Sequence, residues 1–286
     1  MPRNQSDAYL WWLNLAEEAA KRHDYETAAR FYRYVAVHFG LLNNIDNLKN
    51  FTIKAGECYL NAGKNLWNSK RLVKALLLCI NASKCFREGR DEQRAKKCDL
   101  IIEGYYDSIR RDGIIESCED AYDLKRIGDY FVNHDPEKAI ECYESAAKKA
   151  FEDGKLRLSG TLYQTIGECY MTLKKYENAA ENYARSADIY YECQEFFGAA
   201  WLYCISGFYF ILAGNTDRAS SMASRAESIC KKNEINVILN DLASVCRLLS
   251  EGSIRKAERR WSRIRRKFKK SYVKIVDSCF RAANFS

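Results

Sequence analysis

Proline is almost absent from this sequence: only Pro2 and Pro136 occur among its 286 residues. Average usage of about 5% would give about 14 prolines. Because proline breaks helix interiors and is common in the turns of β proteins, its scarcity favours helix throughout. It also excludes collagen-like and proline-rich segments. Hydrophobic residues make up 47% of the chain, so a sizeable core can be buried.

Catalytic and metal-binding motifs are missing as well. The sequence contains no phosphate-binding P-loop, no GxSxG elbow and no HExxH motif. His23, His38 and His134 have no zinc-ligand spacing, and no two of the 12 cysteines form a CxxC motif. We therefore expect a protein that is not an enzyme and that uses no cofactor, metal or small-molecule substrate.

Long apolar runs are also lacking. The first residues, MPRNQSDAYLWW, have no apolar signal core, and the apolar stretches at 75–80 and 208–214 are far shorter than the ~20 residues of a membrane span. The cysteines lie among Ala, Leu and Tyr at helical spacing, where free cysteine commonly acts as a small buried hydrophobe. We expect reduced core thiols in a cytoplasmic protein, with any membrane contact being peripheral.

Positive charge is concentrated at one end of the chain. The formal net charge is +8, but the segment 255–286 alone holds 12 Lys and Arg against Glu258 and Asp277. The other 254 residues hold 34 basic and 36 acidic side chains. This distribution excludes a protein whose whole surface is basic and coats nucleic acid.

A short motif recurs along the chain, with an alanine at its fifth position. The copies are DYETAARFY at 24–32, DPEKAIECY at 135–143, KYENAAENY at 175–183 and NTDRASSMA at 215–223. The alanines that we expect to be buried between helices are Ala28, Ala75, Ala139, Ala179 and Ala219. A second motif precedes several copies and has a glycine followed by an aromatic residue, as in KAGECYLNAGK at 54–64 and TIGECYMTLKK at 165–175. Because small residues allow close helix approach, we interpret the two motifs as helix A and helix B of a repeated hairpin.

Neither helix could bury its apolar stripe alone, and stacked hairpins would bury a continuous core. The sequence therefore predicts an all-α, right-handed α-solenoid of tetratricopeptide-like hairpins with a C-terminal helical cap. We expect a single domain over 1–286, with repeats at about 8–230 and a terminal bundle at about 235–283. The helix pairs are predicted at 8–39, 47–89, 92–133, 135–151 with 155–191, 195–230 and 235–283, with 92–120 the least regular part.

The motifs resemble those of the SNAP family, the soluble NSF attachment proteins. The family's mid-chain helix D-x-E-K-A-I-x-x-Y is matched by DPEKAIECYESAAKKAF at 135–151, and the order of the following segments up to 239–261 also fits. The resemblance implies a non-enzymatic adaptor with protein partners. It would bind a helical SNARE-type bundle and recruit an NSF-like AAA ATPase that disassembles the bundle in vesicle fusion.

Two segments depart from the family's pattern. The first hairpin turn, AKRHDYE at 20–26, has no Phe-rich membrane-touching insertion, and the chain ends FRAANFS rather than with acidic residues and a leucine. The family shows basic residues toward its partner in the unit that here carries Lys125 and Arg126. The resemblance thus makes these two residues candidates for partner binding.

The C-terminal segment predicts an amphipathic helix. Stepping about 100° per residue places an apolar stripe on one face, from Ile254 through Trp261 to Ile275. The opposite face is cationic, and its candidate partner-binding residues are Arg259, Arg263, Arg266, Lys267 and Lys270. Ten basic residues in 255–270 repel one another, which indicates an acidic partner: an acidic protein, anionic lipid headgroups or nucleic-acid phosphate.

Two alternatives to the SNAP-like adaptor therefore stay open. One is a generic tetratricopeptide-type scaffold that binds a peptide and has no role in fusion. The other is a polyanion binder that acts through 255–270 on an anionic membrane or on nucleic acid, of which we expect the nucleic acid less.

Overall fold

A computed structural model describes the backbone of residues 5–284 and the side chains of residues 9–283. Within that range the chain contains α-helices, one short 3-10 turn and no strand, which confirms the predicted fold class. Two compact units are present, Met1–Cys118 and Glu119–Ser286. Each is described below by itself, and the prediction of a single domain over 1–286 stays a prediction.

The first unit is built from five helices that pack consecutively along the chain. They are α1 (Gln5–Lys21), α2 (Tyr25–Leu41), α3 (Ile45–Asn68), α4 (Leu72–Glu88) and α5 (Glu92–Arg111). The helix pair predicted at 92–133 is divided between the two units. Its first helix, α5, is regular and packs on α4 in the first unit, and its second helix belongs to the second unit. The irregular part is confined to 112–120, where Gly113 has a positive φ of 66°.

The second unit contains the remaining helices. They are α6 (Ala121–Phe131), α7 (Pro136–Glu152), α8 (Leu156–Thr172), α9 (Tyr176–Glu192), α10 (Phe196–Leu212), α11 (Thr216–Lys232), α12 (Val237–Ser250), α13 (Ile254–Ile264) and α14 (Lys270–Asn284). Helices α6 to α13 pack in chain order, and both α12 and α14 also pack on α10.

The repeated motif marks the start of helix B. Its first residue is the N-cap of α2, α7 and α11, where the side chains of Asp24, Asp135 and Asn215 accept a hydrogen bond from the backbone N–H three residues later. In α9 the same position is Lys175, which makes no such bond. All five alanines predicted to be buried have no exposed surface.

The glycines of helix A lie against aromatic rings of helix B. A Cβ at Gly128 would lie 2.5 Å from Cε1 of Tyr143, and one at Gly167 would lie 3.0 Å from Cε2 of Tyr183. Because real Cβ atoms essentially never come closer than 3.0 Å to such a neighbour, a larger residue at Gly128 would force α6, α7 or the Tyr143 ring to shift, and one at Gly167 would leave a tight contact between α8 and α9. The close approach predicted from the motif is confirmed.

Helix α10 is the centre of the second unit's core. Its sequence, FFGAAWLYCISGFYFIL, is apolar on all sides, and from Ala199 to Ile211 every residue except Trp201 is buried. A helix that is apolar all round needs partners on every face. Helices α9, α11, α12 and α14 supply those partners.

No helix in the described part of the chain is long and apolar enough to cross a membrane.

Candidate interaction surfaces

The two candidate residues on α6 are engaged with carboxylates of their own helix. Lys125 Nζ lies 2.7 Å from Asp129 Oδ2, one helical turn away. Arg126 Nη1 lies 3.4 Å from Asp123 Oδ1. Both basic side chains are partly solvent-accessible, so a partner carboxylate could reach them only in competition with these local pairs. Exposed pairs of this kind contribute about 0.3–0.5 kcal/mol, so the competition is weak.

The C-terminal basic segment does not form the single helix that the sequence predicts. Helix α13 ends at Ile264, a 3-10 turn follows at Arg265–Lys267, Phe268 is extended, and α14 begins at Lys270. The candidate residues Arg259 and Arg263 therefore lie on α13, Arg266 and Lys267 lie in the turn, and Lys270 starts α14. Ile275 lies on α14, so it does not continue the buried stripe of Ala257, Trp261 and Ile264.

An aromatic contact and a shared carboxylate accompany this break. The extended Phe268 stacks on Trp201 at 6.1 Å and packs at a tilt against Trp261 at 5.6 Å between ring centroids. Asp277 of α14 then joins the two helices, because its carboxylate accepts from Trp261 Nε1 at 3.1 Å and from Arg265 Nη2 at 2.5 Å.

Most of the cationic side chains in 255–270 are left without an acidic partner. Arg260 lies 3.7 Å from Asp241, and Arg265 pairs with Asp277. Within the described residues the other eight form no ion pair: Arg255, Lys256, Arg259, Arg263, Arg266, Lys267, Lys269 and Lys270. All eight are exposed. The apolar stripe is thus used for packing, and the cationic face is free to meet an anionic partner.

A cleft of about 500 Å³ opens in the second unit between helices α8, α10 and α14. Helix α8 lines one wall with Gln164 and Glu168, α10 forms the floor with Trp201 and Tyr209, and α14 closes the other wall with Tyr272. Trp201 and Tyr272 meet edge to face at 4.7 Å, while Tyr209 stacks on Tyr183 at 5.5 Å. The cleft exists because α14 folds back over α10 after the break at Phe268.

The cleft was not predicted from the sequence. Glu168, at its rim, is an exposed acid of a repeated motif, and Gln164 Nε2 donates a 3.1 Å hydrogen bond to its carboxylate. The available signal was helix α10: an all-apolar helix in a repeat of amphipathic ones indicates a further helix packed across it.

The cysteines offer no reactive group at either surface. Ten of the 12 cysteines are buried, as predicted, and all 12 are free in the structure. Burial raises the pKa of Cys58 to about 11 and that of Cys98 to about 12, so these groups are protonated near neutral pH. Within the described residues no group of His, Cys, Asp and Glu could hold a metal ion.

The middle of the chain matches a known family. The family model for soluble NSF attachment proteins, SNAP, matches residues 68–200, which run from the end of α3 into α10. This part of the chain is SNAP-like. The match includes helix α7, which Asp135 caps, and both glycine–aromatic contacts described above, so the resemblance predicted from the repeats is confirmed.

Solved structures similar to the SNAP-like chain are helical repeat proteins. One is a signal transduction ATPase with numerous domains and a tetratricopeptide repeat sensor from Pyrococcus horikoshii. The two sequences are 16% identical and the TM-score is 0.51. The similarity covers 97% of this chain but only 44% of that protein. Another is aspartyl phosphate phosphatase F from Bacillus subtilis, with 13% identity, 96% and 69% coverage, and a TM-score of 0.39.

The similarity to the Pyrococcus structure concerns the fold alone, a tetratricopeptide-like array of helical hairpins. The SNAP-like chain spans less than half the length of that ATPase. A comparison of the sequence with curated proteins finds no match. The comparisons thus show a SNAP-like segment at residues 68–200 within a tetratricopeptide-like helical fold.

Proposed function

We propose that this SNAP-like protein binds a helical SNARE-type bundle and recruits an NSF-like AAA ATPase that disassembles the bundle during vesicle fusion. The observation that carries the proposal is the SNAP family match over residues 68–200. In this role the chain is a cytoplasmic adaptor and not an enzyme, so the ATPase supplies the chemistry. Stacked hairpins suit this task, because a repeat array presents an extended surface to a long partner.

A reconstituted pull-down tests the proposal. The immobilised protein is offered a four-helix SNARE bundle and, as a control, a coiled coil of the same length and net charge. We expect it to retain the SNARE bundle selectively, and an NSF-type ATPase to join the complex and release the bundle on ATP hydrolysis. Equal retention of both bundles, or no retention of either, would contradict the proposal and leave a generic tetratricopeptide-type peptide binder.

The eight unpaired cations of 255–270 favour a second candidate function, the binding of an anionic membrane surface. The cationic face of α13 and the following turn has no large apolar side chain at the surface, because Trp261 and Ile264 are buried. Such a face adsorbs to anionic headgroups electrostatically and does not insert. This function is compatible with the first, since a bundle to be disassembled is attached to membranes.

A further inference from the structure

We propose that the cleft between α8, α10 and α14 binds a lysine or arginine side chain of a protein partner. The inference rests on the proposed function only in treating the chain as a protein-binding adaptor. It adds a binding position and the chemistry of the residue that occupies it. Neither the SNAP family match nor the cationic C-terminal segment identifies this cleft.

The charge within the cleft selects a cation. Among the described residues that line it, Glu168 alone is charged. Gln164 donates one hydrogen bond to Oε1 of this carboxylate, and no ion pair to Glu168 occurs in the described part of the chain. A carboxylate has about four lone-pair sites, so it can still accept from an ammonium or a guanidinium group. Lys270 and Lys274 of α14 lie outside the lining, and neither forms an ion pair with Glu168 within the described residues.

The aromatic walls favour the same ligand. Trp201, Tyr209 and Tyr272 surround the space that Glu168 borders. Aromatic faces attract cations electrostatically, Trp most strongly, and their apolar surface accommodates the methylene stem of a lysine or arginine. The hydroxyl of Tyr209 already donates to Met171 Sδ at 2.7 Å, so it does not compete for the carboxylate. Carboxylate and rings together make a site for a positive charge on an apolar stem.

The openness of the cleft indicates that this stem belongs to a protein. Small-molecule sites usually enclose about 70–90% of the ligand surface. Here the rim residues Glu168, Thr172 and Ser271 are exposed, so one side of the ligand faces solvent. A volume of about 500 Å³ also exceeds a single arginine side chain and leaves room for its apolar neighbours. The occupant that fits is therefore a partner segment with one basic residue between apolar ones.

A charge-deletion cycle tests this assignment. The probes are a set of 18-residue helical peptides made of Leu, Ala and Gln with a single Arg. The position of the Arg differs from peptide to peptide, and a leucine lies four residues before it and four residues after it. Each has a partner peptide in which neutral citrulline replaces Arg. Affinities are measured by calorimetry. We expect the replacement of Arg by citrulline to weaken binding to the wild-type protein at least tenfold, but to weaken binding to the Glu168→Gln protein less than twofold. Glu192→Gln, an exposed acid on α9 outside the cleft, should behave as the wild type.

Several outcomes would overturn the proposal. They are equal affinity for the Arg and citrulline peptides, an equal citrulline effect in wild type and Glu168→Gln, and no binding by any peptide of the array. Binding of free n-butylguanidinium as tightly as the best peptide would assign the cleft to a small cation. The titrations use no SNARE bundle or ATPase, so the two proposals can fail separately. If the pull-down fails but the peptide titrations give the expected result, only the proposed function is refuted. If the pull-down succeeds but the titrations fail, only the proposed binding site in the cleft is refuted.

Discussion

Buried cysteines take the place of small apolar residues in this protein. Their thiols make weak hydrogen bonds to carbonyl groups of neighbouring helices, from Cys98 Sγ to Cys79 O at 3.2 Å and from Cys279 Sγ to Phe208 O at 3.3 Å. Burial raises the pKa of Cys79 to about 12 and that of Cys169 to about 11. Since the thiolate is the reactive form, these groups are protected both by their lack of solvent access and by their raised pKa.

Thiol reactivity should therefore report folding. At pH 8 we expect the native protein to react within minutes with Ellman's reagent at no more than the two half-buried positions, Cys118 and Cys193, and at all 12 cysteines after denaturation. Cys193→Ser should remove one rapid equivalent and leave the total at 11. Fast reaction of more than two thiols in the native state, or fewer than 12 in the denatured state, would contradict the burial or the reduced state.

Backbone strain in the interhelical turns gives a second prediction at this scale. Lys174 has a φ of 57°, in a turn equivalent to that of Gly214, which has a φ of 79°. A side chain in the left-handed region costs about 1–2 kcal/mol, and part of this is offset by the greater chain entropy of glycine in the unfolded state. We expect Lys174→Gly to raise, and Gly214→Ala to lower, the free energy of unfolding by about 1 kcal/mol each.

Urea denaturation measures both effects. A Cβ at Gly214 would meet no atom within 4 Å, so a loss of stability there reports the backbone and not a clash. Lys174→Ala is the control for the lost ammonium group and should leave stability nearly unchanged. If Gly214→Ala leaves the free energy of unfolding unchanged, the turn can relax to accept the side chain, and the predicted backbone strain is wrong.

Helix starts and buried repeat positions were predictable because their causes are local. Asp24, Asp135 and Asn215 cap helices through bonds to residues three positions on, and a buried alanine lies four residues after each cap. The break after Ile264 and the cleft were not predictable from periodicity. They depend on Phe268 reaching Trp201, about 67 residues earlier in the chain, and no helical period encodes such a contact.

Helix α13 provides the prediction at the scale of elements. Trp261 is 5% exposed and joins α13 to Phe268 and, through its indole N–H, to Asp277. Trp261→Ala should lower the free energy of unfolding by about 3–5 kcal/mol, because it removes a large buried side chain and leaves a cavity. Trp11, 47% exposed on α1, is the matched control, and Trp11→Ala should cost far less. Equal losses in thermal or urea denaturation would show that α13 does not depend on this contact.

Across the whole molecule, charge is arranged so that one segment is cationic and the remainder is nearly neutral. The segment 255–286 carries 12 basic residues against two acids, whereas elsewhere 34 basic residues meet 36 acids. Elsewhere, ion pairs join helix B of one hairpin to helix B of the next, as between Arg218 and Glu181 at 2.8 Å and between Arg225 and Asp188 at 2.8 Å. The C-terminal cations have few such partners, so their charge acts on the surroundings.

Reversal of that charge tests the second candidate function. Changing Arg259, Arg263, Arg266 and Lys270 to Glu alters only exposed side chains, so the thermal midpoint should stay close to that of the wild type. Each basic residue near an anionic surface contributes about 1 kcal/mol, so loss of four should weaken binding to phosphatidylserine vesicles by about a thousandfold. Neutral phosphatidylcholine vesicles should bind neither protein, and added salt should weaken the wild-type interaction.

A matched variant separates the position of the charge from its amount. Lys96, Lys97, Lys148 and Lys231 are exposed and lie outside 255–270, and changing them to Glu gives the same net charge. If the C-terminal face is the binding surface, this variant should retain most of the vesicle affinity. Equal loss in both variants would mean that the vesicles respond to net charge alone. Retained affinity in the Arg259, Arg263, Arg266 and Lys270 variant would reduce the segment to a solvated cap whose function is to pack α13 and α14 on the core.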